Sequence, residues 1–266
     1  MPHREPRQER HAAPPDNPPK LYLKTLFVDR GGHPAYENCI GKTCAAAAGG
    51  WLDLRIGCIG WGDNSLRQLN RSVADFLTTP QDIFWIQGND TDWEVPYIRH
   101  MAAQCTPEAP VIGGLFSIKS PELRWCYDQL PGAAMDPRTG LMEVSKVGLE
   151  SIMIHREVFT RWMRERPEDM YHSQFPDFAT PEEPEKRNTE EWNFWKWEIH
   201  VDQDGKRRLM SEDYNFCHTA KQLGFPIYAD HSHYCGHWDN RTRFPFKEPM
   251  VKNEQQPTGT VKEAAA

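Results

Sequence analysis

Three short stretches of this sequence hold side chains that can do chemistry. The first is Asp90-Thr91-Asp92, which follows the apolar run Asp82–Gln87 through Gly88 and Asn89. Carboxylates are hard oxygen donors suited to Mg2+ or Mn2+, ions that also take phosphate oxygens. Acids and Asn in a loop serve equally well to make turns. The second is Ser211-Glu212-Asp213. Ser211 suits a helix N-cap and acids suit the first turn, while one of the carboxylates could be a general base that takes a proton from an acceptor hydroxyl. The third is His231, His233, Cys235 and His237. Alternate residues of an extended segment share a face, so these four could converge on zinc. His237 stands out, because Gly236 leaves the backbone room to approach a ligand. Arg241, Arg243 and Lys247 follow closely. They are cations of the kind a diphosphate needs, or a solvated basic run.

The elements around these stretches alternate. Leu21–Val28 reads as a strand and Pro34–Ala48 as a helix stopped by Gly49-Gly50. Leu52–Ile59 is a second strand. A helix capped by Asn64 or Ser65 runs to about Leu77, with Leu66, Leu69, Val73, Phe76 and Leu77 on one face. Asp82–Gln87 is a buried strand, Val95–Ala103 a short helix and Val111–Ile118 a strand. Met142–Lys146, Glu150–Ile154 and a helix from Arg156 to Arg166 come next, then a Pro- and Glu-rich loop over 167–191. Trp192–Val201 is strand-like and turns at Asp202–Gly205. A helix from Ser211 to about Leu223 is closed by Gly224, and Phe225–Asp230 is the last strand. This order predicts an α/β fold with a mostly parallel sheet. Ligands then sit beyond the carboxyl ends of the strands.

Composition sets bounds. The 266 residues suit one α/β domain, and 38% hydrophobic residues with 10 Trp supply a core. The formal net charge of -7 argues against a dedicated nucleic-acid binder. The 7 Cys are odd in number and scattered, which favours free thiols in a reducing, cytoplasmic setting. No run of about 20 apolar residues exists to span a membrane, and no apolar leader opens the chain. Residues 1–20 read as a disordered Pro-rich arm, 21–248 as the domain and 249–266 as a polar tail.

Four segments, in order, resemble a bacterial and phage branch of the GT-A glycosyltransferases, family 2-like. Met210–Asp239 (MSEDYNFCHTAKQLGFPIYADHSHYCGHWD) is similar to the family run that pairs an acid-acid-x-x-Phe-Cys helix start with a late His. Glu143–Phe159, Pro110–Ser120 and Asn70–Asp90 match further family segments, so the resemblance covers roughly residues 52 to 240. It implies a GT-A α/β/α sandwich and a metal-dependent transfer of sugar from a nucleotide sugar, a UDP-sugar first, to an acceptor hydroxyl. It implies Mn2+ or Mg2+ held by Asp90, Asp92 and His237. It implies Asp213, with Glu212 beside it, as the base of an inverting reaction. Donor contacts fall on Asp63, Asn70, Arg71, Arg241 and Arg243. Two positions depart from the pattern. A gapless match puts Gly88 where the family has its first metal-motif Asp, leaving Asp90 as the second acid; the other register uses Asp90 and Asp92. Leu69 stands where the family has Arg.

The acceptor stays open. Lipid-linked sugars, polysaccharide, protein and small molecules all fit, as does modified DNA carrying a hydroxymethyl-pyrimidine, whose base would have to leave the stack. Arg4, Arg7 and Arg10 could touch phosphate, and Trp192, Trp195 and Trp197 could stack on bases. Two other readings compete with the enzyme. One is a non-catalytic sugar- or nucleotide-binding module that has kept the fold, motivated by Gly88. The other is a zinc or nucleic-acid module built on the His/Cys segment.

Overall fold

The computed structural model describes residues 14–26, 33–57, 65–120, 124–172, 190–201, 204–239 and 242–244. Most of the arm before Pro14, the whole tail after Phe244, Asp63, Arg241 and Lys247 lie outside these described residues.

Strand β1 (Lys20–Leu26) lies between β2 (Asp53–Ile56) and β3 (Ile83–Gly88), parallel to both. Beyond β3 come β8 (Ser151–His155), β5 (Val111–Phe116), β13 (Ile227–Asp239), β7 (Leu141–Val147) and β6 (Tyr127–Gln129). Two very short strands, β4 (Thr91–Asp92) and β14 (Thr242–Phe244), pair with the far end of β13. Strand β8 is antiparallel to β3 and β5, and β7 is antiparallel to β13 and β6. The sheet is therefore mixed, with β8 and β7 running against the other strands of this path. The chain passes from β7 to β8 through Gly148–Glu150 without a crossover helix and keeps its direction, so both strands oppose β5 and β13.

Side chains alternate across the sheet, and the two faces make two cores. On one face Tyr22, Phe84, Ile86, Ile152 and Ile154 pack against three helices. These are α2 (Ser65–Leu77), α4 (Arg156–Glu165) and α5 (Glu212–Gln222). On the other, Leu21, Leu23, Ile83, Trp85 and Met153 meet α1 (Pro34–Ala48) and α3 (Val95–Gln104). Helices on both faces of a mixed sheet give a three-layer α/β/α arrangement. Phe76, Phe84, Phe159 and Trp162 are fully buried, and burying each such side chain stabilises the fold by roughly 1.5–3 kcal/mol. Helix α1 starts at Pro34 and stops at Gly49, with Gly50 at φ 79, a conformation that favours glycine.

The 167–191 loop is partly ordered into a 3-10 turn (Pro167–Asp169) and a pairing of β9 (Met170–His172) with β10 (Glu190–Trp192). The expected single strand 192–201 is two pieces. Phe194 and Trp195 turn inward as core residues, and β11 (Glu198–Val201) then forms a hairpin with β12 (Arg207–Met210). Trp195 stacks on Phe216 at 4.2 Å and is fully buried, so it offers no platform for a base. Of the three tryptophans named for stacking, Trp197 is the exposed one, at 57%. The six described cysteines, Cys39, Cys44, Cys105, Cys126, Cys217 and Cys235, are all free thiols. No helix among the described residues is long and apolar enough to cross a membrane.

Candidate metal centre at the exit edge of the sheet

Strand β3 ends at Gly88, and the chain turns at once. The Thr91 hydroxyl donates to the Gly88 carbonyl at 2.7 Å and accepts from Gln87 Nε2 at 2.6 Å. Gln87 is itself held by Trp85 Nε1 and Ser151 Oγ on its Oε1. This buried polar chain fixes the tight turn that carries Asp90. Strand β4 then pairs with β13, setting Thr91 opposite His237 and Asp92 opposite Gly236. That two-residue ladder brings Asp90 and His237 together, with Nε2 3.5 Å from Asp90 Oδ2. The His237 and Asp90 side chains are only 12% and 18% exposed.

His237 is aimed. Its Nδ1 lies 2.8 Å from the Ser117 carbonyl, which can only accept. Nδ1 therefore carries the proton, and in the neutral ring the Nε2 lone pair faces Asp90. Phe116 packs edge-on against the ring at 5.6 Å.

A third ligand joins them. Asp90, Glu150 and His237 each present one ligand atom, all within 4.8 Å of one another, and no other His/Cys/Asp/Glu group among the described residues does so. Asp90 Oδ1 and Glu150 Oε2 are buried and have no hydrogen-bond partner among the described residues. Two buried carboxylate oxygens without donors are costly unless a cation takes them. Hard oxygens plus one imidazole suit Mn2+ or Mg2+, so the donor set fits such an ion. Glu150 sits in space made by a glycine. A Cβ built on Gly88 would fall on Glu150 Oε2 and lie 3.2 Å from Asp90 Oδ1. Glu150 thus fills the space that a side chain at position 88 would take, and its carbonyl accepts from the Gly88 amide at 2.9 Å.

The electrostatics match this geometry. Burial and the neighbouring Asp90 charge push the Glu150 carboxyl up to about 7. Burial also pushes Asp90 up, but the His237 and Lys119 side chains outweigh it and hold Asp90 below the ordinary carboxylate range. Lys119 forms an ion pair with Asp90 Oδ2.

Asp92 takes a different place. Its Oδ2 accepts from Arg243 Nε at 2.8 Å and Trp238 Nε1 at 2.7 Å, while Oδ1 accepts from Arg243 NH2 at 3.0 Å and the Gly236 amide at 2.9 Å. These bonds outweigh burial and hold the Asp92 carboxyl low. With four donors on two oxygens, Asp92 and Arg243 clamp β4 to β13 and β14, outside the three-residue cluster. A Cβ on Gly236 would strike Arg243 Nε. The room that glycine leaves is filled by this clamp rather than by a ligand.

Asn70 is buried, with Oδ1 accepting from the Trp195 amide at 2.9 Å and Nδ2 donating to Asn193 Oδ1 at 3.2 Å. Arg71 pairs with Asp75 at 3.4 Å and Glu191 at 3.6 Å. Both side chains are engaged with the 190–195 segment and their own helix. Asp213 opens α5 and accepts from Ser211 Oγ and the Tyr214 amide. Its charge is felt at Glu150, but it stands outside the three-residue cluster. Glu212 Oε2 is buried without a partner among the described residues. The last strand runs past Asp230 to Asp239, so His231, Cys235 and His237 are all on β13. They do not converge. His231 lies edge-on to Tyr127 and Cys235 contacts Ser151 Oγ at 3.6 Å. The side chain of His233 is outside the described residues.

No family model matches this sequence, and no curated protein matches it. Solved structures do resemble it. A protein from STIV aligns with a TM-score of 0.48 at 15% identity, covering 85% of this chain and 88% of that chain. The nucleoside-diphosphate-sugar pyrophosphorylase from Vibrio cholerae RC9 gives 0.31 at 11% identity, over 79% of this chain and 71% of that chain. A glycosyltransferase involved in the glycosylation of the major capsid of PBCV-1 gives 0.29 at 7% identity, over 56% and 69%.

Proposed function

We propose that this chain is a metal-dependent glycosyltransferase that uses a nucleotide sugar, a UDP-sugar first, and passes the sugar to an acceptor hydroxyl. One observation carries this reading. Asp90 Oδ1 and Glu150 Oε2 are buried acceptors without donors among the described residues, and the tautomer-fixed His237 faces them at the exit edge of the sheet. Asp90, Glu150 and His237 would hold Mn2+ or Mg2+, which when bound neutralises charge on a departing diphosphate.

The chain's own groups supply the rest. Asp213, fixed by Ser211 and its own helix start, takes the proton from the acceptor hydroxyl. The freed oxygen attacks the anomeric carbon, the bond from that carbon to the diphosphate oxygen breaks, and the electron pair leaves with the diphosphate. Attack opposite the leaving group inverts the configuration. Glu212 stands beside this base. Asp63 and Arg241 are the donor-side positions of the proposal, and Asp92 and Arg243 support it by holding the His237 strand in place. The proposal places the chain in a reducing, cytoplasmic setting, and the free thiols of the six described cysteines support it. The acceptor is a hydroxyl compound of open class, modified DNA included.

Calorimetric titration of UDP with and without Mn2+ tests this reading. Mn2+ is expected to tighten UDP binding, and Asp90→Ala to remove that gain. Slow hydrolysis of a donor sugar, absent in Asp90→Ala and reduced in Asp213→Ala, would exclude a binding module without activity. UDP binding that ignores the metal would sink the proposal. A panel of nucleotide sugars read by metal-dependent thermal stabilisation identifies the donor, since a ligand of the native state raises its melting point.

A further inference from the structure

We propose that Lys119 is a displaceable cation: it holds Asp90 in the metal-free protein and turns to the diphosphate when the metal enters. This inference rests on the metal-centre reading above and adds a regulation of that site by one of its own side chains.

Lys119 lies just beyond β5, on the segment whose Ser117 carbonyl orients His237. The backbone there is fixed. The Ile118 amide donates to the Arg124 carbonyl at 2.8 Å, and the Ser120 amide to the Ile118 carbonyl at 2.8 Å. The side chain is not fixed in the same way. It is 32% exposed, on a flexible four-carbon stem, with its ammonium on Asp90 Oδ2. That oxygen also faces His237 Nε2, whereas Asp90 Oδ1 and Glu150 Oε2 have no donor among the described residues. The Lys119 charge is felt at Glu150 as well as Asp90. One ammonium thus serves the two carboxylates that would otherwise face each other unshielded.

A divalent ion drawn to the same carboxylates places like charges side by side. Lys119 then has to give up the Asp90 oxygen, and its stem lets the ammonium swing without disturbing Ser117 or His237. A diphosphate on the metal offers that ammonium new oxygens, and lysine is a good point-charge partner for phosphate. Lys119 should therefore compete with the metal when no nucleotide is present. It should favour the metal once a nucleoside diphosphate is bound, and the coupling is reciprocal.

Mn2+ titrations of the wild type, Lys119→Met and Lys119→Arg, each with and without UDP, separate the outcomes. Without UDP, Lys119→Met is expected to bind Mn2+ about tenfold more tightly than the wild type. UDP should raise Mn2+ affinity in the wild type, and clearly less in Lys119→Met. Lys119→Arg keeps the cation and should resemble the wild type in both. Lys119→Met binding Mn2+ no more tightly, or showing undiminished coupling to UDP, overturns this role and leaves the metal centre standing. A wild type that binds no Mn2+ overturns the metal centre, and this inference with it.

Discussion

Glu150 Oε2 occupies the position from which a side chain at residue 88 would start. Gly88 ends β3, Glu150 immediately precedes the antiparallel β8, and the Gly88 amide donates to the Glu150 carbonyl. The Glu150 carboxyl arrives from the turn before β8, and the missing side chain of Gly88 is what makes space for it.

Gly88→Ala should therefore push Glu150 out of the cluster. Mn2+ affinity is expected to fall about tenfold, with a stability cost of about 1–3 kcal/mol from overpacking. Adding Glu150→Ala should recover much of that stability without weakening Mn2+ binding further than Glu150→Ala does alone, because the residues share one space. Strictly additive effects in melting and titration experiments would show that the two sites are independent.

The raised Glu150 carboxyl sets a pH dependence. Its value moves up from 4.5 to about 7 in the fold, so folding favours the protonated form. Its contribution to metal-free stability should be fully present at low pH, decline as pH rises through that window, and level off above it. Glu150→Gln removes the decline. At pH 8 in chelator it is expected to be more stable than the wild type by on the order of 2 kcal/mol, with the gap closing toward pH 4. Urea unfolding across this range measures both curves.

Asp90 and Asp92 should part company on mutation. Asp92→Asn breaks the forked pair with Arg243, and the expected cost is about 2 kcal/mol of stability. The mutant protein, once folded, keeps most of its Mn2+ affinity. Asp90→Asn should lose Mn2+ binding while leaving stability nearly intact. Thermal melts set beside Mn2+ titrations compare the two, and a metal loss in Asp92→Asn as deep as in Asp90→Asn would place both acids on the ion.

Asn70→Ala leaves the buried Trp195 amide without its acceptor. The expected destabilisation is about 1–3 kcal/mol. UDP affinity of the folded mutant should match the wild type. A selective drop in UDP affinity would return Asn70 to the donor site.

Much of the fold could be read from local sequence. Pro34 and Gly49-Gly50 bounded α1, the apolar spacing from Leu66 to Leu77 marked α2, and the run DIFWIQ marked β3. The acid pair at the start of α5 was equally plain. Glu150 was not, because its role depends on the register of β3 against β8 and on a missing Cβ 62 residues away. Asp90 and Asp92 are indistinguishable by type and spacing. What separates them is Arg243, delivered by a strand pairing that local pattern does not encode. Strand β4, with only two residues, is too short to show periodicity. The end of β13 was hidden because the apolar pattern of Phe225–Asp230 stops at Asp230, while the strand runs on to Asp239.

Strand β13 also contains slack. Asp230 pairs with Gly114 and Tyr234 with Leu115, so His231, Ser232 and His233 have no counterparts on β5. The bulge takes up these residues, and the ladder resumes in register with Cys235 on Phe116. Beyond it, His237 is set by its pairing opposite Thr91, so the length of the bulge can vary without turning the imidazole as long as that register holds.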